Sequence, residues 1–447
     1  MKKSVCLLLK TLVLTSAVTS AMSGSALMNV AYANEAQEKS SYRATKKVPA
    51  MRDRVYAQLA RAQKLADDGD KIQGFEVLDE VKDRLDSLNS YERAMLFNFY
   101  GFMYYANEDV AMAIDSFEKV VAEEVIPDSL IISTLYSLAQ LSMQQQNFAQ
   151  ALTHLKKWQK LNAKPLTANQ EVFFAQIYYQ DKRFQDSLTH LDNAMALVAK
   201  DNKLPKENWL ILQRANYYEL KQPEQVTKVL EQLVRLFDKP QYWLQLSGMY
   251  GEIGEEAKQV AVMEAAYQAG YITKAAEITT LAQLYLFHGA PYKSAQLMAE
   301  AVAKGSVPAD ESNLDLLSRS YLAAKEDNKA IKVLTQLSAM AEDGKYDALL
   351  AQTYLNNELW QQAISAANQA ITKAEKTQSS EENTPNYLGN MYLAQGMANF
   401  NLQKFEDSLT AFAKALKVPS SKATAQQWAK YVEREQDNYA TRLAMLN

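Results

Sequence analysis

The sequence predicts an all-α fold: stacked helix-turn-helix repeats closed by a capping helix at the C-terminal end. Three observations predict it. Glycine and proline number only 13 and 10 in 447 residues, and few breakers beside much Ala, Leu and Gln favour helix. A small or central residue recurs as Ala62, Gly101, Ala139, Ala175, Gln213, Ser247, Ala282, Ser318, Ala351 and Gly396, at spacings of 33 to 45 residues. Prolines fall where such a repeat would break. Pro127, Pro165, Pro205, Pro240, Pro308 and Pro419 lie at joints, and Pro223 and Pro291 lie where a second helix should begin. A first-turn proline loses no intrahelical hydrogen bond.

Taken in order, residues 1–33 read as an export signal. Lys2 and Lys3 precede the mainly apolar run Val5 to Val18, and Ala31-Tyr32-Ala33 is a small-x-small cleavage site. That run is shorter than the ~18–20 residues needed to span a bilayer. Cleavage after Ala33 removes three lysines, no acids and the only cysteine, Cys6. The remainder carries 45 (48 less 3) basic residues against 52 acidic ones, a net −7. It has no basic stripe for nucleic acid or anionic lipid, and it inserts into no membrane. An export signal with no later membrane segment points to a bacterial periplasm or to secretion, and the periplasm is favoured because a partner-binding solenoid needs partners nearby.

Residues 34–50 form a polar, flexible leader. Residues 51–421 form the repeat array, interrupted at 376–386 by the polar insertion KTQSSEENTPN. Residues 422–447 form a final helix with Trp428, Tyr431, Val432 and Tyr439 among charges, suited to covering the apolar face of the last repeat. The phrases Phe148-Ala-Gln-Ala-Leu-Thr, Phe184-Gln-Asp-Ser-Leu-Thr and Phe405-Glu-Asp-Ser-Leu-Thr recur at equivalent places in second helices. Between Trp209 and Tyr218 the register is compatible with a shift by one.

The best-preserved copy runs from Tyr100 to Phe117. Tyr100, Gly101 and Tyr104 share one face of a first helix, and Ala113 and Phe117 share one face of a second. This resembles the tetratricopeptide (TPR) signature, a 34-residue helix-turn-helix repeat. The resemblance implies a right-handed superhelical solenoid of about ten degenerate TPR repeats, with first helices lining the inner surface. One position past each small residue lie Phe102, Gln140, Gln176, Arg214, Gln283, Arg319 and Gln352; four past lie Tyr105, Tyr179 and Tyr217. Gln both donates to and accepts from a peptide backbone, and Arg grips carboxylates. These ten residues are the candidate partner-binding groove for an extended peptide or a helix. The Lys/Asn clamp of chaperone-tail TPR domains is absent.

No enzyme is expected. The sequence has no GxxxxGK[ST] loop, no HExxH and no CxxC. Glu311-Ser312 matches the dipeptide carrying the catalytic acid of lytic transglycosylases, but the Gly-Leu-rich motif that should follow is missing. His154 and His190 occupy one position in consecutive repeats, each within Leu-Thr-His-Leu. Stacking of consecutive repeats is expected to bring them to about one helix spacing, near 10 Å, too far to share a metal ion without movement, and zinc needs further ligands that nothing supplies. No cofactor or metal is expected.

The phrases Leu96-Phe97-Asn98-Phe99-Tyr100-Gly101 and Trp243-Leu244-Gln245-Leu246-Ser247-Gly248-Met249-Tyr250 belong to a wider likeness. Across the mature chain the sequence resembles periplasmic TPR proteins found with TonB–ExbB–ExbD energy-transduction systems of marine gammaproteobacteria. That resemblance implies an accessory, protein-binding role in TonB-dependent iron uptake, with the periplasmic part of TonB or ExbD as partner. A TPR scaffold for division, outer-membrane assembly or polysaccharide export is the alternative.

Overall fold

The computed structural model describes residues 47–377 and 386–446. The expected export segment (1–33), leader residues 34–46 and residues 378–385 of the polar insertion lie outside the described residues. The described residues contain 21 α-helices and no strand, so the all-α prediction holds. The chain divides between Gln245 and Leu246 into two compact units.

In the first unit, helices alternate as α1 (Asp53–Asp67), α2 (Lys71–Lys82), α3 (Ser90–Ala106), α4 (Val110–Ala122), α5 (Asp128–Gln144) and α6 (Phe148–Leu161). They continue as α7 (Ala168–Gln180), α8 (Phe184–Lys200), α9 (Glu207–Glu219) and α10 (Pro223–Phe237). The division falls inside α11 (Pro240–Glu252), which is followed by α12 (Glu256–Gln268), α13 (Ala275–Phe287), α14 (Pro291–Ala303), α15 (Glu311–Ala323) and α16 (Asp327–Met340). The second unit ends with α17 (Lys345–Asn356), α18 (Trp360–Thr377), α19 (Leu388–Asn401), α20 (Phe405–Ala415) and α21 (Lys422–Leu446).

Odd-numbered helices up to α19 are the first members of hairpins, and all ten hairpins turn in the same way. Nine contain a predicted small residue, from Ala62 to Gly396, that is buried. In each of these nine the first helix ends five residues past it, and the second begins nine past it. The residue seven past has positive φ: Gly69, Glu108, Gln146, Lys182, Gly254, Gly289, Lys325, Glu358 and Gln403. The next N–H donates back across the turn, as in Asp109 to the Tyr104 carbonyl (2.9 Å) and Glu255 to that of Tyr250 (2.8 Å). This left-handed closure satisfies carbonyls that the end of a helix would otherwise leave open.

The fifth hairpin corrects one expectation. Its positive-φ residue is Lys221 and its second helix starts at Pro223. Counting back seven and nine residues gives Arg214, not Gln213, at the contact position. The shift by one that the sequence allowed is the one the chain adopts, because the turn sets the register and the side chain at the contact does not.

Packing explains which small residue stands where. Sixteen residues past the contact position lies a buried side chain of the second helix: Leu78, Phe117, Leu155, Leu191, Leu230, Met263, Met298, Leu334, Ala367 or Phe412. The two contact glycines are the two that face phenylalanine. A Cβ on Gly101 would lie 2.5 Å from the Phe117 ring, and one on Gly396 would lie 2.5 Å from the Phe412 ring. Alanine or serine suffices opposite Leu, Met or Ala. The repeated Phe-x-x-Ser phrase also has a job: Ser187 Oγ donates to the Ala175 carbonyl and Ser408 Oγ to that of Gly396, each at 2.8 Å. The serine thereby ties the second helix to the contact carbonyl of the first.

Charged joints link successive first helices within each unit. Glu207 accepts from Lys239 Nζ (2.6 Å) and Tyr242 Oη (2.5 Å). Glu311 accepts from Lys345 Nζ (2.6 Å) and Tyr346 Oη (3.1 Å). At the first joint, Glu92 takes three hydrogen bonds from Arg52 and holds the N-cap of α3 with Asn89. The Arg52 guanidinium lowers the Glu92 carboxyl to about 2. Helix α21 lays Ala425, Trp428 and Val432 on the last hairpin, with the Trp428 ring stacked on Phe412 at 5.9 Å.

Replacing Gly101 by Ala is expected to cost about 1–3 kcal/mol through overpacking against Phe117. Adding Phe117→Leu recreates the Ala139–Leu155 pairing and should recover part of the loss. Urea denaturation of the two single variants and the double variant measures the coupling; strictly additive losses would contradict the contact.

Candidate partner-binding face

The residues predicted to line a groove separate into three environments. Gln283 on α13, Arg319 on α15 and Gln352 on α17 are exposed, and each sits one residue past its hairpin contact. They therefore repeat the same register on successive first helices of the second unit. Arg319 is held along its own helix by Asp315 at 2.6 Å, and Gln352 donates to Asn356 at 2.9 Å. Both bonds are local and exposed, so they leave the side chains accessible.

In the first unit Phe102, Tyr105, Gln140, Gln176 and Tyr179 are half-buried. Phe102 stands edge-on to Phe117 with ring centroids 5.2 Å apart, and Tyr105 packs on the same core cluster. Tyr179 lies against Phe184 at 5.6 Å, and burial raises its pKa, with Glu219 adding to the rise. The phenylalanine and tyrosines of this row serve the hairpin contacts as much as the surface, because an aromatic ring beside a small residue fills the space the small residue leaves.

Arg214 and Tyr217 need correction. With the register moved by one, neither belongs to the exposed rows. Tyr217 joins Tyr104, Tyr178, Tyr250, Tyr285, Tyr321 and Tyr354, three residues past the contact, whose carbonyls accept the turn hydrogen bond. Arg214 is 5% exposed. One guanidinium nitrogen, Nη1, donates to Gln245 Oε1 on α11. Burial lowers the Arg214 pKa from its ordinary value, with the Tyr242 and Tyr179 hydroxyls nearby. Gln245 and Tyr242 were not among the predicted residues. They become visible only when the register places Arg214 between first helices.

The other candidate chemistries resolve into packing. His190 Nδ1 meets Glu171 Oε2 at 2.6 Å, and its ring stacks on Phe174 at 4.7 Å. His154 is buried; neither ring nitrogen has a hydrogen-bond partner, and Glu118 Oε1 lies 3.6 Å from Nε2. Burial lowers the His154 pKa, opposed by Glu118 and assisted by Lys157. The Glu311 carboxyl is lowered by its hydrogen bonds from Lys345 and then Tyr346, the opposite of what a general acid needs. Among the described residues no three His, Cys, Asp or Glu side chains are grouped to hold a metal, and no helix is long and apolar enough to cross a membrane.

No family model matches the chain, and no curated protein matches it. Among solved structures, MamA is similar at 16% identity and a TM-score of 0.33, covering 40% of this chain and 91% of that one. A tetratricopeptide repeat protein from Parabacteroides merdae ATCC 43184 aligns at 13% identity and a TM-score of 0.33, over 60% and 98% of the two chains. The APC/C hetero-tetramer Cut9-Hcn1 aligns at 13% identity and a TM-score of 0.28, over 86% and 84%. At such scores the superpositions add nothing to the hairpin geometry seen in the chain itself.

His154 gives the fold a pH dependence. Its folded pKa lies below the unfolded value of 6.5, so the unfolded chain binds more protons and stability rises with pH. The His154 contribution is complete above about pH 6.5 and is lost as pH falls below that value toward the depressed one. Glu92 adds little slope there, because its loss begins near the ordinary value of 4.5 and continues toward about 2. The stability difference between pH 7 and pH 5 should shrink in His154→Leu, read from urea midpoints; an unchanged difference would contradict the assignment.

Proposed function

We propose that this chain is a non-catalytic TPR adaptor that holds a partner protein on its first-helix face. The observation that carries this reading is the exposed row Gln283, Arg319 and Gln352, one residue past the contact in three successive hairpins. Three backbone-competent or carboxylate-competent side chains in equal register suit an extended segment lying across the helices. A structural role for the row is not needed, since the local bonds of Arg319 and Gln352 add little to stability.

The signal-like residues 1–33, with cleavage after Ala33, support export to a periplasm. The likeness to TPR proteins of TonB–ExbB–ExbD systems supports an accessory part in TonB-dependent iron uptake. The periplasmic part of TonB or ExbD is the proposed partner.

Crosslinked pull-down from periplasmic extract tests the partner. Recovery of TonB or ExbD is the expected result, and recovery only of division, outer-membrane-assembly or polysaccharide-export proteins contradicts the TonB assignment. The combined variant Gln283→Ala, Arg319→Ala, Gln352→Ala should weaken capture about tenfold or more, while stability stays within about 0.5 kcal/mol as for other surface changes. Undiminished capture by this variant would remove the row from the interface.

A further inference from the structure

Arg214 occupies a position that the other nine hairpins fill with Gly, Ala or Ser. It is 5% exposed, and among the described residues no carboxylate lies within ion-pair distance of it. Glu207, about two turns earlier on the same helix α9, is engaged by Lys239 at 2.6 Å and by Tyr242 at 2.5 Å. The one hydrogen bond of the guanidinium runs to a neutral amide oxygen, that of the half-buried Gln245. A buried charge without a counter-ion is costly, and an arginine fork is built to take a carboxylate through two parallel N–H donors. Gln245 therefore holds the place of half of that ligand.

We infer that Arg214, with Gln245, Tyr179 and Tyr242 around it, is a receptor for the carboxylate of an acidic side chain on a bound peptide. The inference rests on the docking reading above and adds the chemistry of one partner residue in the first unit. Charge complementarity selects the occupant. The site offers one cation without an ion-pair partner and the Tyr179 hydroxyl, while the Tyr242 hydroxyl donates to Glu207. The carboxylate would accept from the guanidinium in place of Gln245 Oε1, and the half-buried Tyr179 would line its approach.

The test uses a library of extended nonapeptides selected on the full chain. Binders are resynthesised with each Glu or Asp changed to its amide, and separately with an amidated C-terminus. Conversion of one internal acid should weaken binding about tenfold or more in the native chain, as expected for loss of a charge-assisted pair. That discrimination should vanish in Arg214→Gln and in Gln245→Glu. The second variant supplies the carboxylate in cis and keeps the size of the side chain, so it decides the matter should the first fail to fold. Binders indifferent to acid or amide overturn the inference and leave the docking reading standing. So do binders whose preference survives in Gln245→Glu, or that respond only to the C-terminal amide. Recovery of no binder overturns both.

Discussion

Two helices joined by a tight turn can pack closely only where one of them carries almost no side chain. In this chain that constraint acts at one residue in nine of the ten hairpins, the fifth having Arg214 there, and the packing of those nine follows from it. The left-handed residue seven positions on fixes where the chain reverses. The turn hydrogen bond closes the first helix, and the second helix then presents its buried side chain to the small residue. Glycine is required only opposite Phe117 and Phe412, where a methyl group would overlap the ring. Within the second unit, the face left to solvent by this arrangement is where Gln283, Arg319 and Gln352 recur.

The fold was legible because these constraints are local. Small residues, prolines at joints and the Phe-x-x-Ser phrase each report on one turn or one contact, and a local rule repeated many times is hard to misread. Arg214 was misplaced by one because no small residue marks the fifth contact. Pro223 carried the missing signal: Pro291 lies nine residues past Ala282, and Pro223 lies nine past Arg214, not Gln213. A rigid first-turn residue is a better ruler than side-chain size.

The candidate site was less legible. Whether a first-helix side chain packs or faces outward depends on its neighbours in the next hairpin, which sequence spacing does not reveal. Phe102 and Tyr105 share register with Gln283 and Leu286, yet Phe102 meets Phe117 and Tyr105 joins the core around it. The isolation of Arg214 was equally hidden, since its one hydrogen-bond partner, Gln245, lies 31 residues on in α11. Glu311 shows the same effect in reverse: a dipeptide that suggested an acid catalyst is a strut between first helices.

Arg214 thus joins the constraint to the function: at one hairpin the chain gives up a small contact residue and encloses a charge with no acid beside it. Such a residue is retained at the expense of stability. Thermal unfolding of Arg214→Met measures this most directly, since methionine keeps much of the volume and removes the charge. A raised Tm is the expected result. A lowered Tm would mean that the guanidinium is part of what holds α9, α10 and α11 together, and would contradict the reading of Arg214 as a charge kept for a partner.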